Sequence, residues 1–291
     1  MTRHAPDWYD AQYNARASIP DHPAILQGWF SRSAVARDTL PCTLDVPYGS
    51  GPGETLDIFR PATKRPTTAG APVLIYIHGG YWRALDKRDQ SFIATPFVEA
   101  GAVVVLPNHA LAPAVSVQHI VLQMVQAVAW VHRHISAHGG NPRHLVVAGH
   151  SAGGHLAAMM LACRWPDVAP DLPADTERAA LAVSGVFDLE PLRQAPFLKD
   201  DLKLSAAAAR RLSPALMPAP GRGQLVAVVG ADESSEFQRQ TACIGRAWGP
   251  SATPVCEAVP ERHHMNVLEA LIEPQARLHG LALGLLGLRV G

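Results

Sequence analysis

The chain has 291 residues, 48% of them apolar and 17% charged, with 25 Lys and Arg side chains balanced by 25 Asp and Glu. That composition excludes a wholly disordered chain, and zero net charge without a dense Lys/Arg stripe excludes a protein that holds nucleic acid by counterion release. No apolar run reaches the roughly 18 residues that a membrane span needs, and Met1–Asp7 lacks the apolar stretch of a secretory signal, so a cytoplasmic protein without membrane contact is expected.

Residues 1–41 carry Trp8, Tyr9, Tyr13, Trp29 and Phe30 among polar residues, broken by Pro20, Pro23 and Pro41. They read as an N-terminal arm packed on the rest. From residue 42 onward, short β-branched runs alternate with longer helical patterns. Strands are expected at 42–48, 55–60, 73–78, 102–106, 144–149, 180–185, 225–230 and 253–259, several of them unbroken apolar runs suited to central parallel strands. Val117, Ile120, Val121, Met124, Val128, Val131 and Ile135 recur on one face of a helix, which Gly139-Gly140-Asn141-Pro142 should stop. Strand, helix and strand at that spacing give a right-handed parallel crossover, and hence one α/β domain over 1–291 with a mostly parallel central sheet. Residues 186–224 leave the alternation, with prolines from Pro191 to Pro220 and a helix over 206–212, and read as a small lid.

Gly149-His150-Ser151-Ala152-Gly153 follows the apolar run ending at Ala148 and opens a helical pattern. A sharp strand-to-helix turn lifts the central serine above the strand's end, and its neighbours must be tiny because helix and strand nearly touch there. A serine hydroxyl needs a base within hydrogen-bond reach, and on such a scaffold the acid and then the histidine follow at the ends of the last strands. Asp232, two residues past the strand 225–230, is the expected acid, with Glu233 and Glu236 as rivals. The loop after 253–259 offers His263 and His264, between which spacing does not choose. His78-Gly79-Gly80-Tyr81-Trp82 ends another strand, where two glycines let the chain fold back so that N–H groups of Gly79, Gly80 and Tyr81, joined by Ala152, point at an oxyanion. His134 and His138 lie four apart on a helix, but a solvated helix face is expected there rather than a metal site. The cysteines, Cys42, Cys163, Cys243 and Cys256, form no CxxC and read as small apolar residues of a reducing compartment.

The HGGYW and GHSAG segments together resemble the α/β-hydrolase-type kynurenine formamidases, relatives of hormone-sensitive-lipase-like esterases that carry HGGG instead. Gly185-Val186-Phe187-Asp188-Leu189, Leu212-Ser213-Pro214 and Glu236-Phe237-Gln238-Arg239-Gln240 are similar to the same family, so the likeness spans about residues 73–270. It implies the α/β-hydrolase fold, with Ser151 as nucleophile, Asp232 as acid and His264 as base. His264 is preferred because the family places an apolar residue after the base, where Met265 stands. Asn108–Pro113 departs from the Tyr-Arg pair of the esterase relatives. The implied reaction is hydrolysis of an N-formyl arylamine without metal or cofactor, its aromatic group held by Tyr81 and Trp82 and, from the arm, by Tyr13 or Trp29. A short-chain carboxylesterase is the alternative within the class, and a catalytically silent ligand-binding protein the alternative outside it. A small molecule is the expected partner; oligomeric state is left open, a homodimer included.

Overall fold

The structure, a computed structural model, describes residues 4–62 and 70–289. Eight strands, β1 (Cys42–Pro47), β2 (Thr55–Phe59), β3 (Ala71–Ile77), β4 (Val103–Pro107), β5 (Gly140–His150), β6 (Ala179–Val183), β7 (Gln224–Gly230) and β8 (Val255–Val259), form one sheet in the order β1-β2-β4-β3-β5-β6-β7-β8. β1, β2 and β4 pair antiparallel, and every other neighbouring pair is parallel. Most strands coincide with runs of apolar residues, but β1 (CTLDVP) does not, and β5 starts at Gly140, inside the segment expected only to stop the helix. The parallel strands read as solid apolar runs because both faces are covered: on β3, Val73, Ile75 and Ile77 enter one core, while Leu74 and Tyr76 enter the other.

Three short helices and a longer one precede the crossover: α1 (Pro6–Tyr13), α2 (Ala15–Ser18), α3 (His22–Thr39) and α4 (Ala94–Glu99). The crossover helix α5 (Val117–His134) joins β4 to β5, capped by Ser116 and closed through a short 3-10 turn by left-handed Gly139. Then come α6 (Ala152–Leu161), α7 (Trp165–Val168), α8 (Pro196–Leu202), α9 (Ala206–Arg211), α10 (Ser235–Ala252), α11 (Val267–Ile272) and α12 (Arg277–Leu285). Helices α5, α6 and α10 feed the first core; α3, α4, α11 and α12 cover the opposite face.

The arm is mostly helical, and its first three residues lie outside the described ones. Pro23 does not break it. It occupies the first turn of α3, where a missing N–H costs nothing. Tyr13, fully buried at the end of α1, donates its hydroxyl to Glu236 at 2.6 Å, and Ser234 donates to the carbonyl of Gln12 at 2.6 Å, so α1 is stitched to the start of α10. Segment 186–224 holds α8, α9 and two 3-10 turns. Its entry is pinned by Gln240, whose Oε1 accepts from the N–H groups of Phe187 and Asp188 at 2.8 Å each, and by Ser213, which accepts from Leu189 N–H at 2.8 Å. The three segments that carried the family likeness beyond the two main motifs are thus one hydrogen-bonded knot.

Candidate active site

Ser151, the residue between β5 and α6, sits at φ 56° and ψ −117°, a left-handed strained turn for a residue with a side chain. Its N–H is held by the Val183 carbonyl at 2.8 Å. The neighbouring glycines are required by contact: a Cβ on Gly149 would stand 2.2 Å from the Gly153 carbonyl oxygen, and one on Gly153 would stand 2.0 Å from that of Ile77. Strand and helix leave no room for a methyl group.

After β7 the chain keeps hydrogen bonding beside β8, Ala231 N–H to Val259 and Asp232 N–H to Arg262. The turn then closes with Glu233 N–H on the Gly230 carbonyl at 3.1 Å. This geometry overturns the expectation for Asp232. Its side chain is exposed, whereas Glu233, with a side chain of 0% relative exposure, is turned back beneath the strand end. Glu233 Oε2 lies 2.6 Å from His264 Nδ1. Its other oxygen accepts from Gly230 N–H at 2.7 Å and from the Ser184 hydroxyl, so three donors fix the carboxylate.

His264 follows β8 and is nine-tenths buried, its ring between Phe237 and His150 at centroid distances of 4.4 and 4.8 Å. His263 is engaged otherwise. Its Nδ1 accepts from the N–H groups of Met265 and Asn266 at 3.2 Å each, serving the turn into α11. Of the two histidines, only His264 meets a buried carboxylate. His150, the variable residue of the elbow, places Nε2 2.7 Å from the His264 carbonyl oxygen, and burial together with the nearby His264 holds its pKa well below the usual histidine range. A neutral imidazole there can donate one N–H and brace the loop that carries His264.

The loop after β3 curls through three consecutive left-handed residues, Gly80 (φ 108°), Tyr81 (φ 52°) and Trp82 (φ 57°). A Cβ on Gly80 would come within 2.1 Å of the Ala84 carbonyl oxygen. Gly79 packs on the elbow, where its own Cβ would meet that of Ser151 at 3.3 Å. His78 supports the curl: Nδ1 is 2.8 Å from the Gly79 carbonyl oxygen, Nε2 is 3.1 Å from Asn108 Oδ1, and the His109 ring stacks on it at 4.5 Å. Asn108 in turn donates to Asp86 at 2.8 Å. The segment that departs from the esterase pattern thus buttresses this loop. Ala152 is the first residue of α6, and its N–H has no intrahelical acceptor.

Ser151 and His264 line one cavity with Gly80, Tyr81, Trp29 and Phe197. Gly79 and Ala152 adjoin lining residues without lining the cavity themselves. Trp82 is a second correction: its indole is fully buried, edge-on to His155 at 5.0 Å, and it anchors the loop to α6 instead of facing the cavity. The left-handed curl of Gly80, Tyr81 and Trp82 carries the indole inward, which sequence order does not reveal. Tyr13 is likewise core, but it supports the wall, since its carbonyl accepts the Tyr81 hydroxyl at 2.5 Å. Trp29 both packs on Phe92 and reaches the cavity. Sequence reading missed Arg16, Leu26, Arg83, Phe197 and Met265 in the wall; they come from four separate segments, the arm, the loop after β3, α8 and the loop after β8, with no shared pattern. A larger groove of about 350 Å³ lies between the β1–β2 hairpin and α5. Ser50 and His134 both line it, but no carboxylate bonds His134 there and Ser50 sits on no strained elbow, so we place the chemistry at the smaller cavity. Among the described residues no cluster of three or more His, Cys, Asp or Glu could hold a metal ion, and no helix is long and apolar enough to cross a membrane.

The BD-FAE family model matches residues 56–188. The chain is 32% identical to "Kynurenine formamidase" of Danio rerio, over 98% of this chain and 94% of that one. It is 38% identical to "Esterase LipQ" of Mycobacterium tuberculosis over 50% of this chain and 36% of that one. The crystal structure of a thioesterase candidate from Silicibacter sp. tm1040 superposes with a TM-score of 0.78 at 30% identity, covering 91% of this chain and 95% of that one. Fold and relatives agree on an α/β-hydrolase enzyme acting by hydrolysis.

Proposed function

Because the chain belongs to the kynurenine formamidase family, we propose that it hydrolyses an N-formyl arylamine, with N-formylkynurenine as the reference substrate, to the free arylamine and formate. The observation that carries this reading is the 2.6 Å contact between Glu233 and His264 beside a strained Ser151 on the wall of an aromatic cavity. Ser151 Oγ attacks the formyl carbon as His264 takes its proton. Glu233 orients the imidazole and stabilises the imidazolium that forms. N–H groups of Gly79, Gly80, Tyr81 and Ala152 are the donors for the oxyanion, each such donor lowering the barrier by about 3–4 kcal/mol. The C–N bond breaks as His264 returns the proton to the arylamine nitrogen, an anilide being a poor leaving group unless protonated. Water then attacks the formyl-serine ester, giving up its proton to His264, and formate leaves as Ser151 regains its own.

Trp29, Tyr81 and Phe197 suit an aromatic leaving group. The machinery uses no metal, and turnover should survive EDTA. The four cysteines are free thiols, in keeping with a reducing cytoplasm. A short-chain carboxylesterase is the second reading, favoured by the mycobacterial esterase relative. A silent binding protein would have no use for the buried Glu233–His264 pair. The decisive comparison is kcat/KM for N-formylkynurenine against phenyl acetate. The formamidase reading expects efficient release of the arylamine; brisk ester hydrolysis with negligible formanilide turnover retires it.

A further inference from the structure

None of the residues lining the active-site cavity is an Asp or Glu, yet two of them are arginines. Their situations differ. Arg83 is satisfied within the fold: Nη1 donates to the Phe197 carbonyl at 2.7 Å and also to Asp201, and its guanidinium lies over the Phe197 ring. The side chain of Arg16, on the arm in α2, makes no hydrogen bond or ion pair among the described residues. It stands at the cavity rim, close enough to Arg83 that partial burial and that second positive charge press its pKa below the ordinary arginine value. Asp201 offsets the charge of Arg83 and leaves Arg16 without an anion, and a guanidinium presents a planar fork of donors matched to a carboxylate. The backbone around Arg16 is placed by contacts on either side. Asn14 Oδ1 accepts from Ala17 N–H at 3.4 Å, and the Tyr13 carbonyl accepts from the Tyr81 hydroxyl of the catalytic loop.

We propose that Arg16 is a specificity-determining residue that binds a carboxylate on the leaving group of the substrate, so that the enzyme selects aryl substrates carrying an acidic side arm. The aromatic core lies between Trp29, Tyr81 and Phe197, with its acyl carbon at Ser151 and its anionic end at the rim. The preference deepens the formamidase reading and rests on it for the acyl group, but the charge selection holds for whichever acyl bond is cleaved.

Two matched pairs separate these claims. In the first, N-formylkynurenine is compared with 2′-formamidoacetophenone, which keeps the aryl ketone and lacks the carboxylate. In the second, 3-acetoxybenzoate is compared with phenyl acetate. Wild-type enzyme should favour the charged member of each pair it hydrolyses. Arg16→Gln should cut that preference by roughly tenfold, through KM more than kcat, and Arg16→Lys should restore part of it. Raising ionic strength should erode the wild-type preference and leave that of Arg16→Gln flat. Equal changes on both members of a pair, or no change in the ratio, overturn the assignment of Arg16. Failure of the formamidase reading shows separately, as wild-type inertness toward both formanilides, and the ester pair then decides Arg16.

Discussion

Glu233→Gln preserves the length of the side chain and removes its charge. In the wild type the carboxylate receives His264 Nδ1 at 2.6 Å inside a buried environment. With about 4 Å between charge centres and an effective dielectric near 20, its attraction to the imidazolium is worth about 4 kcal/mol, or a rate factor on the order of 10³. Glutamine can also present its NH2 to the ring and favour the wrong tautomer, which adds to the loss. The expected result is a fall in kcat of about 10³-fold or more with KM little altered. Asp232→Asn, one residue away on an exposed side chain, should stay within about threefold of wild type. The assay is steady-state hydrolysis of phenyl acetate and N-formylkynurenine, with thermal melting to show that both variants are folded. An inactive Asp232→Asn beside an active Glu233→Gln would refute the reasoning outright.

His264→Ala should abolish turnover, whereas His263→Ala should mainly loosen the turn into α11 and lower Tm; a reversed pattern in the same rate and melting assays would move the base. Gly153→Ala drives a methyl group into the Ile77 carbonyl and should cost about 3 kcal/mol or prevent soluble expression, read by denaturant unfolding. Glu177 is buried with neither carboxyl oxygen hydrogen-bonded, and burial raises its pKa well above the glutamate value. Between its unfolded and folded pKa the native state retains a proton that the unfolded chain has lost, so its contribution to stability falls as pH rises. Glu177→Met should accordingly stabilise the fold by about 1–3 kcal/mol, with a gain over wild type that grows as melts are moved from acid to alkaline pH.

Much of the architecture is legible because burial on both sheet faces writes itself into composition. Val103–Leu106, Leu145–Ala148 and Leu225–Val229 read as strands covered on both faces, although Val103–Leu106 also pairs antiparallel with β2. The elbow is legible for a related reason, since Gly149 and Gly153 are forced by backbone atoms two ångströms away. What the sequence hides is side-chain direction in turns. Asp232 and Glu233 are chemically equivalent until the turn at Gly230 decides which one faces His264. Trp82 and Tyr81 share a loop, and only its left-handed curl sends one into the core and the other to the cavity. Trp29 and Arg16 reach the site from helices far away in sequence, a juxtaposition created by the way Tyr13 and Gln12 dock on α10.

The central claim is that Ser151 is a nucleophile activated by His264 and Glu233. Treatment with a fluorophosphonate followed by peptide mass spectrometry tests it most directly. The account predicts one covalent adduct, on Ser151, absent in Ser151→Ala and formed on the order of 10³-fold more slowly in Glu233→Gln. A folded wild-type protein that takes no label at Ser151, or one whose labelling rate is indifferent to the loss of Glu233, would contradict it.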